Sequence, residues 1–164
     1  MTSMIKVDTL QKANGGTPTA ADLGINITGN TIQTVVKTSS TVVTQTSSAI
    51  TGFGLSQSFT PKFASSKILI IGAIAGEHYA YSDLGIRYDL TQDGTQIRYW
   101  PYVDYHSADD SQNISTQNLQ WYGDATNTNA RTYEFRFQPS NGNGTARVNN
   151  YNGPSQMTIM EIAG

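Results

Sequence analysis

Two histidines, His78 and His106, are the side chains of this sequence best suited to move protons or bind a metal ion at neutral pH. A zinc site needs three or four ligands at defined spacing, and the tyrosines beside both histidines do not supply that pattern. Asp104, Asp109 and Asp110 lie near His106 and could offer oxygen ligands to a cation. The simpler interpretation is a solvated loop with several carboxylates. We therefore expect no metal site and no cofactor.

Catalysis by a nucleophile or by paired carboxylates has little support in the sequence. The chain contains no cysteine, which also excludes disulfides and thiolate ligands. No serine stands in a nucleophile-elbow sequence, and the stretch 52–54 lacks the Lys-Ser/Thr pair of a phosphate-binding loop. Glycoside hydrolysis needs two carboxylates across a cleft. The carboxylates that we considered for it are Glu77, Asp83, Asp89 and Asp104. Nothing places two of them together, so we expect no catalytic residue and no enzyme.

The densest aromatic stretch of the chain runs from Tyr99 to His106 and is the best candidate for a binding site. Tyrosine and tryptophan combine an apolar face with a polar tip, which suits stacking on sugar rings or contact at a wet protein surface. The alternative is that part of the stretch fills the core or a subunit interface. The residues predicted to bind a ligand or receptor are Tyr99, Trp100, Tyr102, Tyr105 and His106.

Composition limits the classes of partner. Charged residues make up 13% of the chain and the net charge is −2, so no basic surface favours nucleic acid or an anionic membrane. The sequence has no apolar run of the length that spans a bilayer, and its first ten residues do not form a signal peptide. We expect neither nucleic-acid binding nor membrane insertion, and synthesis in a cytoplasm.

The strand that organises the fold is predicted at Ser66 to Gly76, the most apolar run of the sequence. Residues 68–71 are consecutively apolar, whereas a half-exposed strand would alternate. Its β-branched residues and flanking Ser and Gly favour a strand over a helix. We interpret it as a central strand, covered on one side by a sheet and on the other by a second layer or a neighbouring subunit.

The remaining pattern predicts about nine short strands separated by turn signals. Asp93-Gly94 is a strong hairpin signal between one arm at Gly85 to Leu90 and a return arm at Thr95 to Tyr99. Arg131 to Pro139 alternates cleanly between aromatic and polar residues. Gln156 to Ala163 is apolar on both faces and is predicted to be an internal strand. Short strands with connections of unequal length indicate an all-β, antiparallel jelly-roll sandwich rather than an up-and-down barrel.

Residues 1–30 differ from the sandwich predicted for residues 31–164. They contain one short extended segment, in which Ile5 and Val7 share a face, followed by a Gly- and Pro-containing break. We interpret this region as an arm that docks on another protein through Ile5, Val7 and Leu10. The alternative is a disordered terminus.

Five stretches of the sequence, in this order, resemble motifs of bacteriophage tail and virion proteins, especially those of marine phages. Thr60 to Ile70 resembles their entry into the central strand, Leu90 to Thr95 their Arg-Asp-Gly-Thr turn, and Arg131 to Tyr133 their Thr-Tyr strand. Met157 to Ile162 is similar to their terminal strand, and Ile5 to Leu10 to a segment that opens many of them.

This resemblance implies a homotrimeric jelly roll of the tumour-necrosis-factor-like kind that serves as an appendage of the virion, with no enzymatic activity. No shaft precedes the sandwich, so the chain fits a short tail appendage near the particle better than a long fibre. Its exposed loops would bind a glycan or protein of the host surface, and its arm would bind other virion proteins. A purely structural decoration protein of the capsid or neck is the alternative, and a polysaccharide depolymerase a third. Residues predicted to pack in the core or at the trimer interface are Ile70, Met157, Ile159 and Met160.

Overall fold

The computed structural model describes residues 11–18, 23, 27–79, 84–106, 112–140, 144–151 and 153–164, without the side chains of Tyr79, Leu84, Tyr102, Asp104 and His106. These ranges contain β-strands and turns, and none of their segments is a helix long and apolar enough to cross a membrane. The strands are β1 (Thr31–Ser39), β2 (Val43–Gln45), β3 (Thr51–Phe59), β4 (Lys67–Tyr79), β5 (Leu84–Gln92), β6 (Thr95–His106), β7 (Asn113–Asp124), β8 (Arg131–Pro139), β9 (Thr145–Val148) and β10 (Ser155–Ile162).

The strands form two antiparallel sheets that pack face to face. In the first sheet, β7 pairs along one side of β4, while β10 and β9 pair end to end along its other side, followed outward by β1 and β2. In the second sheet the order is β3-β8-β5-β6. The predicted central strand is confirmed, because β4 has partners along both sides of most of its length. The predicted internal strand at the end of the chain is confirmed too, since β10 lies between β1 and β4.

The strand order is that of a jelly roll. Strands β1 and β2 run in line, as do β9 and β10, so each pair counts as one interrupted row. Counted along the described chain, the first sheet then holds rows 1, 8, 3 and 6, and the second holds rows 2, 7, 4 and 5. Successive rows alternate between the two sheets except for rows 4 and 5, which form a hairpin within the second sheet, and this is the order of a jelly roll. The prediction of an all-β jelly-roll sandwich is confirmed.

The core lies between the sheets and follows from the period-2 alternation of the strands. Tyr133, Phe135 and Phe137 of β8 are fully buried, as the alternation predicted. Opposite them, Ile68 and Ile70 of β4 are also fully buried. The next residues on β4, at positions 69 and 71, lie on the outer face of the first sheet and are half-buried. Within one chain, therefore, only one face of the central strand is fully covered.

Polar side chains bridge the point where β4 exchanges β10 for β9. The amide of Ala75 donates to the hydroxyl of Ser155 over 3.0 Å, and the carbonyl of Ala75 accepts from the amide of Asn149 over 2.9 Å. The amide of Ser155 in turn donates to the side-chain oxygen of Asn149 over 3.0 Å. Buried backbone groups must be paired, so these two side chains replace the missing strand neighbour.

A buried carboxylate connects the last strand to the loop before β4. Glu161 of β10 is fully buried and accepts hydrogen bonds from the amides of Lys62 (2.9 Å) and Phe63 (3.0 Å) and from the side-chain amide of Gln33 (2.7 Å). Burial alone would raise the pKa of Glu161, but these hydrogen bonds outweigh it and lower the pKa below its ordinary value. The sequence pattern gave no sign that this carboxylate is buried.

The hairpin turn between β5 and β6 follows the sequence. Asp93 and Gly94 both have positive φ (51° and 80°), as a two-residue hairpin turn requires. Strand β1 begins at Thr31, directly after a turn at residues 28–29 whose Gly29 amide donates to the carbonyl of Ala163 over 2.8 Å. The docking residues Ile5, Val7 and Leu10 lie outside the described part of the chain.

Candidate binding surface

The aromatic stretch lies on β6, at the edge of the second sheet. The sequence placed only the first five residues of β6 in the return arm of the hairpin, but the strand continues through the aromatic residues to His106. Its pairing with β5 is irregular: the register shifts three times, between Leu84 and Ile86, between Ile86 and Tyr88, and between Leu90 and Thr91. At each shift β6 has one more residue than β5. Such bulges turn side chains towards new directions, and the strand is well suited to present them.

Two aromatic side chains of β6 are exposed. Tyr99 is 37% exposed and Tyr105 is 49% exposed. Both lie on the same edge strand, and a tyrosine fixed on a strand offers a large contact area at a small cost in side-chain entropy. They are the two predicted binding residues whose described side chains are accessible to a ligand. The side chains of Tyr102 and His106 lie outside the description.

Trp100 has a different environment. It is half-buried and packs against the core, with its ring centroid 5.9 Å from that of Phe135. The guanidinium of Arg98 lies 5.6 Å from the indole centroid, within the range of a cation–π contact. Trp100 therefore anchors β6 to the sandwich, which is the alternative that the sequence left open for this residue.

An ion pair supports the exposed face of the second sheet behind Tyr99. Asp89 of β5 lies opposite Tyr99 on one side and Arg136 of β8 on the other. The Arg136 guanidinium donates two hydrogen bonds to the carboxylate of Asp89, over 3.0 and 2.7 Å. These bonds raise the pKa of Arg136 further above its ordinary value. Asp89 is fully buried, and the fork-shaped pairing fixes the surface on which Tyr99 lies.

A second polar cluster lies near the end of β4. Glu77 is 2% exposed and accepts hydrogen bonds from the side-chain amides of Gln112 (2.5 Å) and Asn150 (2.6 Å). The guanidinium of Arg147 lies 3.6 Å from the same carboxylate. The end of β4 pairs with the starts of β7 and β9, so the strand ends that precede them, those of β6 and β8, lie towards this end of the sandwich. Glu77 therefore joins strands at the loop end where β6 also ends.

Among the carboxylates considered for glycoside hydrolysis, the structure describes the side chains of Glu77 and Asp89, and these two do not form a pair across a cleft. Glu77 alternates with the buried residues of β4 and lies on the outer face of the first sheet, while Asp89 lies on the outer face of the second sheet. The whole sandwich separates them, and each has its own partners. Asp83 and the side chain of Asp104 lie outside the description. Among the described residues, no group of three His, Asp or Glu side chains is placed to hold a metal ion.

The residues predicted to form the core or a trimer interface fall on two faces. Ile70, Met157 and Ile159 are fully buried between the sheets of one chain, so they belong to its core. Met160 points to the outer face of the first sheet, where the pairing places it beside Leu69. Of the four residues, only Met160 is therefore placed to contact another copy of the chain.

The outer face of the first sheet carries apolar side chains in two neighbouring cross-strand lines. Met160, Leu69 and Tyr122 are adjacent in the first line, and Val36 and Ile71 lie in the second, with Thr158 between them. Val36 is 53% exposed and Tyr122 is also exposed. Two ion pairs among the described residues lie on this face, Lys67 with Asp124 beside the apolar residues and Glu77 with Arg147 near the end of β4. We call these five apolar residues the outer patch.

Comparison with known proteins gives similarities of fold. No protein-family model and no curated protein sequence matches the chain. The chain is similar to the structure of the infectious bursal disease virus Gx strain, with a TM-score of 0.44 and 13% identity over 82% of this chain and 33% of that one. It is also similar to the infectious bursal disease virus VP2 subviral particle, with a TM-score of 0.44 and 15% identity over 82% of this chain and 38% of that one. The chain thus spans between one third and two fifths of the length of these proteins.

Proposed function

We propose that this chain is a structural protein of a bacteriophage particle, a short homotrimeric tail appendage that contacts the host surface. The observation that carries the proposal is the meeting of two of the phage-like motifs. Glu161, from the terminal motif, accepts the amide hydrogens of Lys62 and Phe63, from the motif that precedes the central strand. Residues about one hundred positions apart thus form one structural unit, which supports the resemblance as more than a chance series of short matches.

The outer patch supports the trimeric part of the proposal. Exposed apolar side chains grouped on one sheet face favour association, and the low charge of the chain leaves few groups to oppose it. In the proposed appendage the outer patch faces other copies. The arm that contains Ile5, Val7 and Leu10 binds other virion proteins, and the protein is made in the host cytoplasm before assembly.

The bulged edge strand β6 supports the host-binding part. Tyr99 and Tyr105 are exposed on β6, which Trp100 anchors to the core. The ion pair of Asp89 and Arg136 lies beside Tyr99 on the neighbouring strands β5 and β8. Rigid exposed tyrosines suit a glycan or a wet protein surface. No step of this role requires catalysis.

Binding to host cells tests the role of β6. We expect the double variant Tyr99→Ala/Tyr105→Ala to lose most of its binding to host cells, by about tenfold or more, since two hot-spot aromatics together contribute about 2 kcal/mol or more. Flow cytometry with fluorescently labelled protein measures this. The matched control is Tyr151→Ala, because Tyr151 is 66% exposed and lies between β9 and β10. Equal binding by wild type and the double variant would remove β6 as the receptor site.

A decoration protein of the capsid or neck is the second candidate function. The outer patch favours it, since such a protein needs surfaces for its neighbours and no receptor site. A protein with this role binds particles that lack it and does not bind host cells.

A further inference from the structure

Three of the four sheet edges in the described structure carry features that oppose pairing with another strand. Strand β6 has three bulges and contains Pro101, which lacks a backbone donor. Strand β3 has two extra residues between Gly52 and Ser56. The edge formed by β1 and β2 is interrupted at positions 40–42 and carries Lys37. Bulges, prolines, lysines and short strands are the usual means by which proteins protect sheet edges.

Strand β7 forms the fourth edge and has none of these features. Its twelve residues pair one by one with β4 without a single register shift. Residues 113–123 contain no charged residue and no proline. Such a long, regular and uncharged edge strand is a template for another strand.

We propose that β7 of one copy pairs antiparallel with β7 of a second copy about a two-fold axis. The first sheet of one copy would then continue into the first sheet of the other, which gives one sheet of eight rows. Pairing along residues 114–122 would add roughly ten hydrogen bonds between the chains. The interface is isologous, because each copy contributes the same strand.

The side chains of β7 fit a copy of themselves. With the axis at Asn118, Thr116 faces Gln120 and Ile114 faces Tyr122 of the other copy. Amides and hydroxyls both donate and accept, so the polar pairs can form hydrogen bonds whichever copy supplies the donor. A charge at the axis would face the same charge of the other copy, and the stretch carries no charged residue. This neutral, self-complementary pattern favours a second copy over an unrelated charged peptide.

The proposed contact differs from the trimer in its symmetry. A two-fold contact through β7 gives dimers if the trimer contact is absent, and assemblies of six if both exist. The contact uses the edge of the first sheet, whereas the outer patch uses its face. The two proposals can therefore fail separately.

Sedimentation equilibrium of the full chain tests the edge contact. We expect wild type to form dimers or assemblies of six, and Asn118→Lys to halve that mass, because the two introduced lysines would meet at the axis. The control is Ser58→Lys, an exposed position on the bulged strand β3, which should keep the wild-type mass. A wild-type monomer or trimer, or an unchanged mass for a folded Asn118→Lys, would overturn the edge contact.

Hydrogen exchange provides a measurement that needs no variant. The amides of residues 114–122 that do not face β4 should exchange at least tenfold more slowly at high protein concentration than at high dilution. Exchange in β7 that does not depend on concentration would overturn the proposal even if Asn118→Lys failed to fold. A trimer with unprotected β7 amides would overturn only the edge contact and leave the proposed appendage intact.

Discussion

At the scale of single residues, the most informative group is the carboxylate of Glu161. It lies on a strand face whose other members, Met157 and Ile159, are apolar and fully buried. A carboxylate in such a place is tolerated only if hydrogen bonds replace its water. Here two backbone amides and the side-chain amide of Gln33 do so. The carboxylate therefore fixes the loop before the central strand.

The Glu161→Gln variant tests this role through pH. Loss of the charged acceptor should lower the free energy of unfolding by about 1–3 kcal/mol at neutral pH. The folded protein lowers the pKa of Glu161 below its ordinary 4.5, so the unfolded chain binds the proton more tightly. The stabilisation is complete above that value and is lost as the pH falls below it. Urea unfolding at several pH values measures both effects.

The difference between the two proteins should shrink as the pH falls from about 6 to about 3. A difference that stays constant over this range would show that the charge of Glu161 contributes nothing. The control is Glu134→Gln, because Glu134 lies half-buried on the outer face of the second sheet.

At the scale of elements, sequence patterns identified the strands best where alternation is regular. Residues 131–139 were predicted as a strand with three inward aromatic side chains, and β8 matches this. Strand β6 was only partly predicted, because each of its three extra residues reverses the alternation that such a prediction reads. The same bulges decide that Tyr99 is exposed while Trp100 packs inward. No pattern within the strand indicates where a bulge falls.

Close packing between the sheets makes a further prediction at Gly72 of β4. A Cβ atom there would lie 2.7 Å from the ring of Phe135, which is fully buried. We expect Gly72→Ala to cost about 1–3 kcal/mol, and to lower the melting temperature by roughly 2–12 °C for a domain of this size. Thermal unfolding followed by circular dichroism measures the change.

The double variant Gly72→Ala/Phe135→Leu provides the control for that clash. If contact with the ring is the cause, adding Phe135→Leu should cost less in the Gly72→Ala background than in wild type. Additive losses would assign the effect of Gly72→Ala to something other than Phe135.

At the scale of the whole molecule, the jelly-roll class was predicted from the short strands and their connections of unequal length, but the strand order and the distribution of buried charge were not predicted. Glu77, Asp89 and Glu161 are all buried, and each is paired with groups from distant strands. Sequence reasoning treated the first two as candidate catalytic acids, because it could not place them on opposite outer faces. The position of Met160 on the outer face, opposite to the buried Met157 and Ile159, matches the regular alternation of β10.

The location of the protein on phage particles tests the proposed function most directly. Gold-labelled antibody against residues 31–164, applied to intact particles and viewed by electron microscopy, should label the tail or its base. Label spread over the head would replace the appendage with a decoration protein and remove the reason to assign host binding to Tyr99 and Tyr105. Particles without any label would contradict a role in the virion.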